Sequence, residues 1–546
     1  MTISSPGFNL SRRRLLITTA AAGTVSLVTG SRAFANVKPS GQAVIGLSQE
    51  PTVFDPRRPH IEVDDGIYMA LFSPLWAVDP SGRLLPRLAA EIPTVENGGI
   101  SKDGLSWSIK LRDGVKWHDG TPFTAGDVKY TIESIIAPDF PAFSRVGHEM
   151  VEDIQTPAPD RIVWKMKKAF APYVSILATT YIVPKHLLAG QPITGGPFVQ
   201  HPIGTGPFKW HERVPGDHIT LQADEDYFGD GPLLDTVIYK YIPDLTVLYT
   251  QFQTGGIDYI GLQGILPDHY EQAVKLPDRK VVKAPQAVIE CFYFNLGLAK
   301  FQDKAVRHAL YHAYDKKSII EQLYYGLPSP AESYLPKQSW AYNAHLPKHE
   351  YSLEKAQKIL DSAGWKRGGD GVREKDGVRL SFLNSTTAGN QLREQVQQLL
   401  QQDFRQIGVE MKIHNLPAAV MWGKYWVDSQ FETAIVGLDF MKGSDPDATA
   451  YFASRSIPAK TKSGQNTMQY SSAKADALLT AGAETLDREK RVPIYQKLQA
   501  TLRDDLPFLP QHQYAEIEGT KAKLLGYAPN INARINLWNL ETWHWA

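Results

Sequence analysis

Between Ser106 and Leu111 the chain alternates, with Trp107, Ile109 and Leu111 on one side and Ser106, Ser108 and Lys110 on the other. That is the period of a half-buried strand. Asp113-Gly114 has hairpin-turn chemistry, so Val115-Lys116-Trp117 reads as the returning strand. Asp119-Gly120 makes a second turn. Thr124 followed by Asp127 is a helix-start signature, and Val128, Ile132 and Ile135 then line one face.

Similar patterns run along the rest of the chain. Ala43 to Leu47 and Arg161 to Met166 read as strands, and Val288 to Phe294 is a β-like apolar run closed by Asn295. Asp303 is a plausible N-cap for a helix with Val306, Ala309, Leu310 and Ala313 on one face. Ser352 caps a helix that Gly364 stops. Leu392, Val396, Leu399, Leu400 and Ile407 form a stripe ended by Gly408, and Val409 to His414 follows as a strand. More helices are expected between Ser472 and Arg503.

Few residues offer bond-breaking chemistry. A His118-Asp119 pair invites a metal-hydrolase reading, but such sites need ligands converging from several segments. No second His/Asp cluster has ligand spacing, and neither H-E-x-x-H nor G-x-S-x-G occurs. The two residues are read as turn residues satisfying local backbone groups. Gly204 and Gly206 in Ile203-Gly204-Thr205-Gly206-Pro207-Phe208-Lys209 could suggest a phosphate cradle. Pro207 and the following strand leave no helix N-terminus to hold an anion, so the segment reads as a structural turn.

The N-terminus has the form of an export signal. Arg12, Arg13 and Arg14 precede a small-residue apolar stretch, and Ala33-Phe34-Ala35 fits a cleavage site. The stretch is too short and too rich in Thr, Gly and Ala to be a stable membrane span. Cys291 is the one cysteine, which leaves no intrachain disulfide and no lipid-bearing cysteine at the cleavage site. It reads as a small core residue. Of the 546 residues, 58 are Lys or Arg and 58 are Asp or Glu, so charge makes no case for nucleic acid or an anionic membrane. The length suits about three domain-sized units.

The run Leu111 to Glu133, LRDGVKWHDGTPFTAGDVKYTIE, resembles the signature of the family 5 extracellular solute-binding proteins of ABC importers. The Ile203–Lys209 turn is similar to that family's G-T-G-P-F/Y turn. Asn295 followed by Phe301 to Leu310 resembles its F-N and F-x-D-x-x-V-R-x-A-L segment. The resemblance implies an α/β, two-lobed periplasmic-binding-protein fold of type II with an extra subdomain and a ligand cleft between the lobes. Lobe I would comprise 36–75, 201–290 and 506–546, with the extra subdomain at 76–200 and lobe II at 291–505. Residues 1–35 would be the export signal. The chain would cross between lobes near Ala284–Asn295 and Arg503–Pro510, forming a hinged clamp.

The resemblance also implies ligand-facing positions. Phe54 lies in the loop Ser48–Pro56 after the first strand, and Asn295 lies at the first crossing. The segment Ala434–Phe452 is similar to the family's cleft-lining loop, in which a strand runs into D-P-D, here Asp445-Pro446-Asp447. Relatives that take free peptides carry an acidic residue three positions earlier, where this chain has Lys442. A short insertion would instead give that role to Asp439. The dipeptide-binding relatives' carboxylate-pairing arginine has no counterpart in Asn384–Asn390. Trp422 and Trp426 either lie over the ligand or, at i,i+4 spacing, pack a helix into the core.

The expected function is a periplasmic receptor that captures a peptide or peptide-like solute and delivers it to an inner-membrane ABC permease. It is expected to be monomeric, without cofactor, metal or catalytic residues. Opines, oligosaccharides, sugar phosphates, metal chelates and haem remain open as ligands, and a secreted hydrolase is the rival from another class.

Overall fold

The computed structural model describes residues 38–192, 196–262, 264–441, 443–461 and 464–546. The expected export signal therefore lies outside the described residues, as does Lys442. The helix Ala125–Ile136 starts where the sequence predicts. Thr124 Oγ1 accepts from Gly126 N at 3.2 Å, and the Asp127 carboxylate accepts from Thr124 N at 2.9 Å. Val128 and Ile132 are fully buried.

The strand Ser106–Lys110 forms, but its partner differs from the expected hairpin. It pairs antiparallel with Arg161–Met166, and the Trp107 and Trp164 rings stack at 5.7 Å. Val115–Trp117 does not return onto it, because the next turn folds Trp117 back instead. Trp117 N donates to Thr121 O, and Lys116 makes an isolated bridge to Pro122. With Val151–Ala158 this small sheet and its helix enclose a core of their own around Trp107, Trp164, Ile132 and Tyr173.

The glycine turn is structural for a plain steric reason. A Cβ on Gly204 would lie 1.7 Å from the Leu71 carbonyl oxygen, and one on Gly206 would lie 2.3 Å from that of Ala70. The turn therefore presses flat on the end of the helix Glu62–Leu71. His118 joins this contact rather than bonding its own turn. Its Nδ1 accepts from Gly204 N at 3.1 Å, and its Nε2 lies 3.0 Å from Gly206 O. Burial pushes the ring's pKa down to about 4, so at neutral pH it is a neutral spacer.

An eleven-stranded mixed sheet joins the two lobes. Its order is Glu410–Ile413, Ser381–Ser385, Thr433–Leu438, Arg279–Phe294, Phe508–Lys521, Tyr259–Ile260, Gln42–Leu47, Thr236–Tyr241, His218–Ala223 and Phe208–Val214, with Ser329–Pro330 branching off Phe508–Lys521. The two long strands change partners along their length. Arg279–Pro285 pairs with Ala515–Lys521, which carries the first lobe's strands. After a register shift between Pro285 and Ile289, Ile289–Phe294 pairs with Thr433–Leu438 of the second lobe. Phe508–Lys521 changes neighbours in the same way, with His512 and Gln513 pairing Pro330 and Ser329 and with Gly519 and Thr520 pairing Ile260 and Tyr259. Cys291 and Tyr293 face one core of the second lobe while Phe292 and Phe294 face another, which explains the unbroken apolar run. The Cys291 thiol is fully buried, and burial raises its pKa well above the ordinary value.

Candidate ligand cleft

Strand direction locates the cleft. Gln42–Leu47 is parallel to Thr236–Tyr241 and Tyr259–Ile260, and the last runs antiparallel to Phe508–Lys521 with Ile260 opposite Gly519. Their carboxyl ends therefore point toward the crossings. Ser381–Ser385, Glu410–Ile413 and Thr433–Leu438 are likewise parallel, and Leu438 ends opposite Ile289 at the crossing. Open α/β sheets bind ligands outside their strands' carboxyl ends. Here both sets of ends converge on the double crossing, flanked by Ser48–Asp55 from one lobe and by Thr386–Asn390 and Asp439–Asp447 from the other.

On the first lobe, Asp64 fixes the loop by accepting from Thr52 N at 2.7 Å and Val53 N at 3.1 Å. Phe54 is buried, edge-on to Trp210 at 4.9 Å and under the Arg213 guanidinium, which pairs with Glu50 at 2.6 Å. Near the carboxyl end of Tyr259–Ile260 stand three carboxyls, Glu62, Glu516 and Glu518. Asn536 Nδ2 donates to Glu518 at 2.8 Å, and Tyr527 OH donates to it as well. Burial raises the pKa of both Glu516 and Glu518. Glu62 is pushed from 4.5 up to about 7, mainly by burial, with Arg534 opposing.

The sign of the Glu62 effect follows from linkage. A carboxyl whose folded pKa is raised holds its proton more tightly when folded, so stability falls as pH climbs from about 4.5 through 7. Glu62→Gln is expected to match wild type at pH 4.5 and to be about 1–3 kcal/mol more stable at pH 8. Urea titrations at the two pH values would show this, and an equal midpoint at pH 8 would contradict it.

On the second lobe the expected residues separate. Asn295 Nδ2 donates to Ser429 O at 2.8 Å and to Phe431 O at 2.9 Å, while its Oδ1 accepts from Gly297 N and Gln469 Nε2. Its amide is thus spent on holding loops. Trp426 stacks on Phe431 at 4.9 Å and packs on Tyr293 at 5.2 Å in the core. Trp422 meets Trp426 edge-on at 5.3 Å and is 41% exposed. Asp439 lies exposed at the end of its strand and accepts from Met441 N at 2.9 Å. Asp445 is buried and engaged by Arg491, Nη1 at 2.7 Å and Nη2 at 2.8 Å. Asp445 thereby anchors the loop to the helix Arg488–Asp505.

Sequence reasoning missed the ion pair at the crossing. Arg393, in the first turn of the helix Gln391–Gln406, donates to Glu290 through Nε at 2.6 Å and Nη2 at 2.9 Å. Tyr514 OH donates to Glu290 at 2.6 Å and receives Arg393 Nη2 at 2.9 Å. A Cβ on Gly437 would lie 2.5 Å from that hydroxyl, so a side chain there would collide with the network. Two signals were available: Glu290 inside an apolar strand, and Arg393 on the face that also carries Val396 and Leu400. A charge in either place requires a partner.

Among the described residues, no helix is long and apolar enough to cross a membrane. Residues 83–460 match the model of the bacterial extracellular solute-binding proteins, family 5. The chain is 30% identical over 514 residues to the oligopeptide-binding protein AppA of Bacillus subtilis (strain 168), covering 92% of this chain and 91% of that one. The structure of AppA from Bacillus subtilis in complex with a nonapeptide aligns with a TM-score of 0.76 at 29% identity, covering 93% of this chain and 100% of that one. NikZ from Campylobacter jejuni, in complex with Ni(L-His), aligns with a TM-score of 0.77 at 28% identity over 93% of this chain and 100% of that one. The family model covers more than half of the chain and the relatives align over most of it, and the chain belongs to the family 5 bacterial extracellular solute-binding proteins.

Proposed function

We propose that this protein is the receptor of an ABC importer, taking a peptide into its cleft and presenting it to an inner-membrane permease. The observation that carries this reading is a cleft at the carboxyl ends of both lobes' strands, in a chain 30% identical over most of its length to an oligopeptide-binding protein. Capture by closure requires no bond to break. His118, the residue that invited a hydrolase reading, is occupied with backbone groups of the glycine turn. Export to the periplasm is supported by the arginines at 12–14 and the Ala33-Phe34-Ala35 motif, and the mature receptor acts as a monomer. Either Lys442 or, in its place, Asp439 meets the polar end of the ligand, and Trp422 is the second lobe's exposed aromatic for it.

Mass spectrometry of protein purified without denaturant is expected to recover a bound peptide. A metal–amino acid complex, an opine or a sugar recovered instead would overturn the peptide assignment. Small-angle scattering should show a smaller radius of gyration when the recovered ligand is returned to protein stripped by unfolding and refolding. An unchanged radius at saturation would overturn the hinged clamp.

A further inference from the structure

The extra subdomain touches the second lobe at a seam separate from the crossings. Ala171 N donates to Ala483 O at 2.7 Å. Ala483, from the helix Ala473–Glu484, is buried in the subdomain's own apolar cluster with Trp107, Trp164 and Tyr173, and Leu486 packs against the same cluster. Arg488 Nη1 donates to Gly82 O at 3.3 Å, and the buried hydroxyls of Ser175 and Ser444 stand 3.4 Å apart.

The seam is fitted closely. A Cβ on Gly104 would lie 3.1 Å from a Leu486 methyl, and one on Gly443 would lie 3.3 Å from Ser175 O. Both glycines have positive φ, 74° and 59°, so the backbone is shaped for this approach as well as clear of side chains. The second-lobe side is braced: Trp340 Nε1 donates to Ser444 O at 2.9 Å, and the Arg488 and Arg491 guanidinium groups lie over the Trp340 ring.

We infer that this seam is a clasp, made when the lobes close and broken when they open, so that the extra subdomain sets how long the cleft stays shut. The two halves are tied by the sheet at the crossings, so a rotation there must separate contacts made elsewhere between them. The seam includes Ser444, in the same loop as Asp439 and Asp445. Engaging it therefore orders a cleft wall at the same time. This inference rests on the closure reading above.

The test uses the full chain carrying Ser175→Cys and Ser444→Cys, stripped of ligand by unfolding and refolding. Cys291 is buried and does not compete. The radius of gyration is expected to fall when the pair is oxidised and to recover on reduction. A tryptic casein digest, supplying mixed peptides, should speed oxidation about ten-fold, and adding Leu486→Asp should reverse most of that gain. Leu486 is only partly buried, and oxidation of the pair without this change provides the second reading. A radius indifferent to oxidation would make the seam a fixed interface and overturn the clasp. An oxidation rate untouched by Leu486→Asp would do the same. If oxidation shrinks the molecule while the digest leaves wild type unchanged, the clasp stands and the peptide assignment fails.

Discussion

Arg393→Leu is expected to lower stability by about 3–5 kcal/mol, the usual cost of stripping one partner from a buried ion pair. Glu290 is 1% exposed, and after the substitution the Tyr514 hydroxyl is the remaining contact of this network for its carboxylate. Glu290 lies on the first crossing strand and Arg393 on a second-lobe helix, so the loss falls on the joint between lobe and hinge. A double variant, Arg393→Leu with Glu290→Leu, should recover most of the loss, because two apolar groups of similar shape replace a broken pair. Urea unfolding of the single and double variants would measure both effects. A single variant within 1 kcal/mol of wild type would show that water reaches Glu290.

Arg491→Leu is the second large effect, expected at about 3–5 kcal/mol for the same reason. Arg491 also donates to Gly482 O at 2.8 Å and to Tyr495 OH at 3.0 Å, so four bonds go with it. Its functional signature differs from that of Arg393. Asp445 ties down the loop from Asp439 to Asp447, and freeing that loop should weaken ligand binding about ten-fold or more even where the variant is folded. Calorimetry with the ligand recovered from wild type, below the unfolding transition, would show it. Binding as tight as wild type's would mean that the loop does not contact the ligand.

Both predictions turn on partners that local sequence does not reveal. Glu290 and Arg393 each sit in an apolar pattern, and each could be recognised as a charge needing a counter-charge. Which charge, across more than a hundred residues, is a matter of tertiary placement. The same holds for Asp445, whose place in D-P-D resembled a ligand contact but whose carboxylate is spent on Arg491. Asn295, too, resembled a ligand-facing residue at the crossing, yet its amide holds the Ser429–Phe431 loop. Trp422 and Trp426 were ambiguous for a periodic reason. Spacing of i,i+4 puts two rings on one face without saying what that face meets, and the fold buried one and left the other exposed.

What the sequence determined alone was local and steric. Thr124 and Asp127 start a helix because the unpaired N–H groups of its first turn need acceptors within a few residues. Asp303 and Ser352 act the same way, and Gly364 and Gly408 end helices because positive φ suits glycine. The alternation through Trp107 and Ile109 made a strand, and the family motifs identified the two-lobed plan.

Tertiary structure decided the pairings. Val115–Trp117 had turn chemistry before it but found no place on Ser106–Lys110, where Arg161–Met166 supplies the cross-strand tryptophan. The changes of partner lie inside the continuous strands Arg279–Phe294 and Phe508–Lys521, whose period of two is the same on either side of the change. A strand's pattern records that its faces are covered, and only the folded chain determines by which lobe.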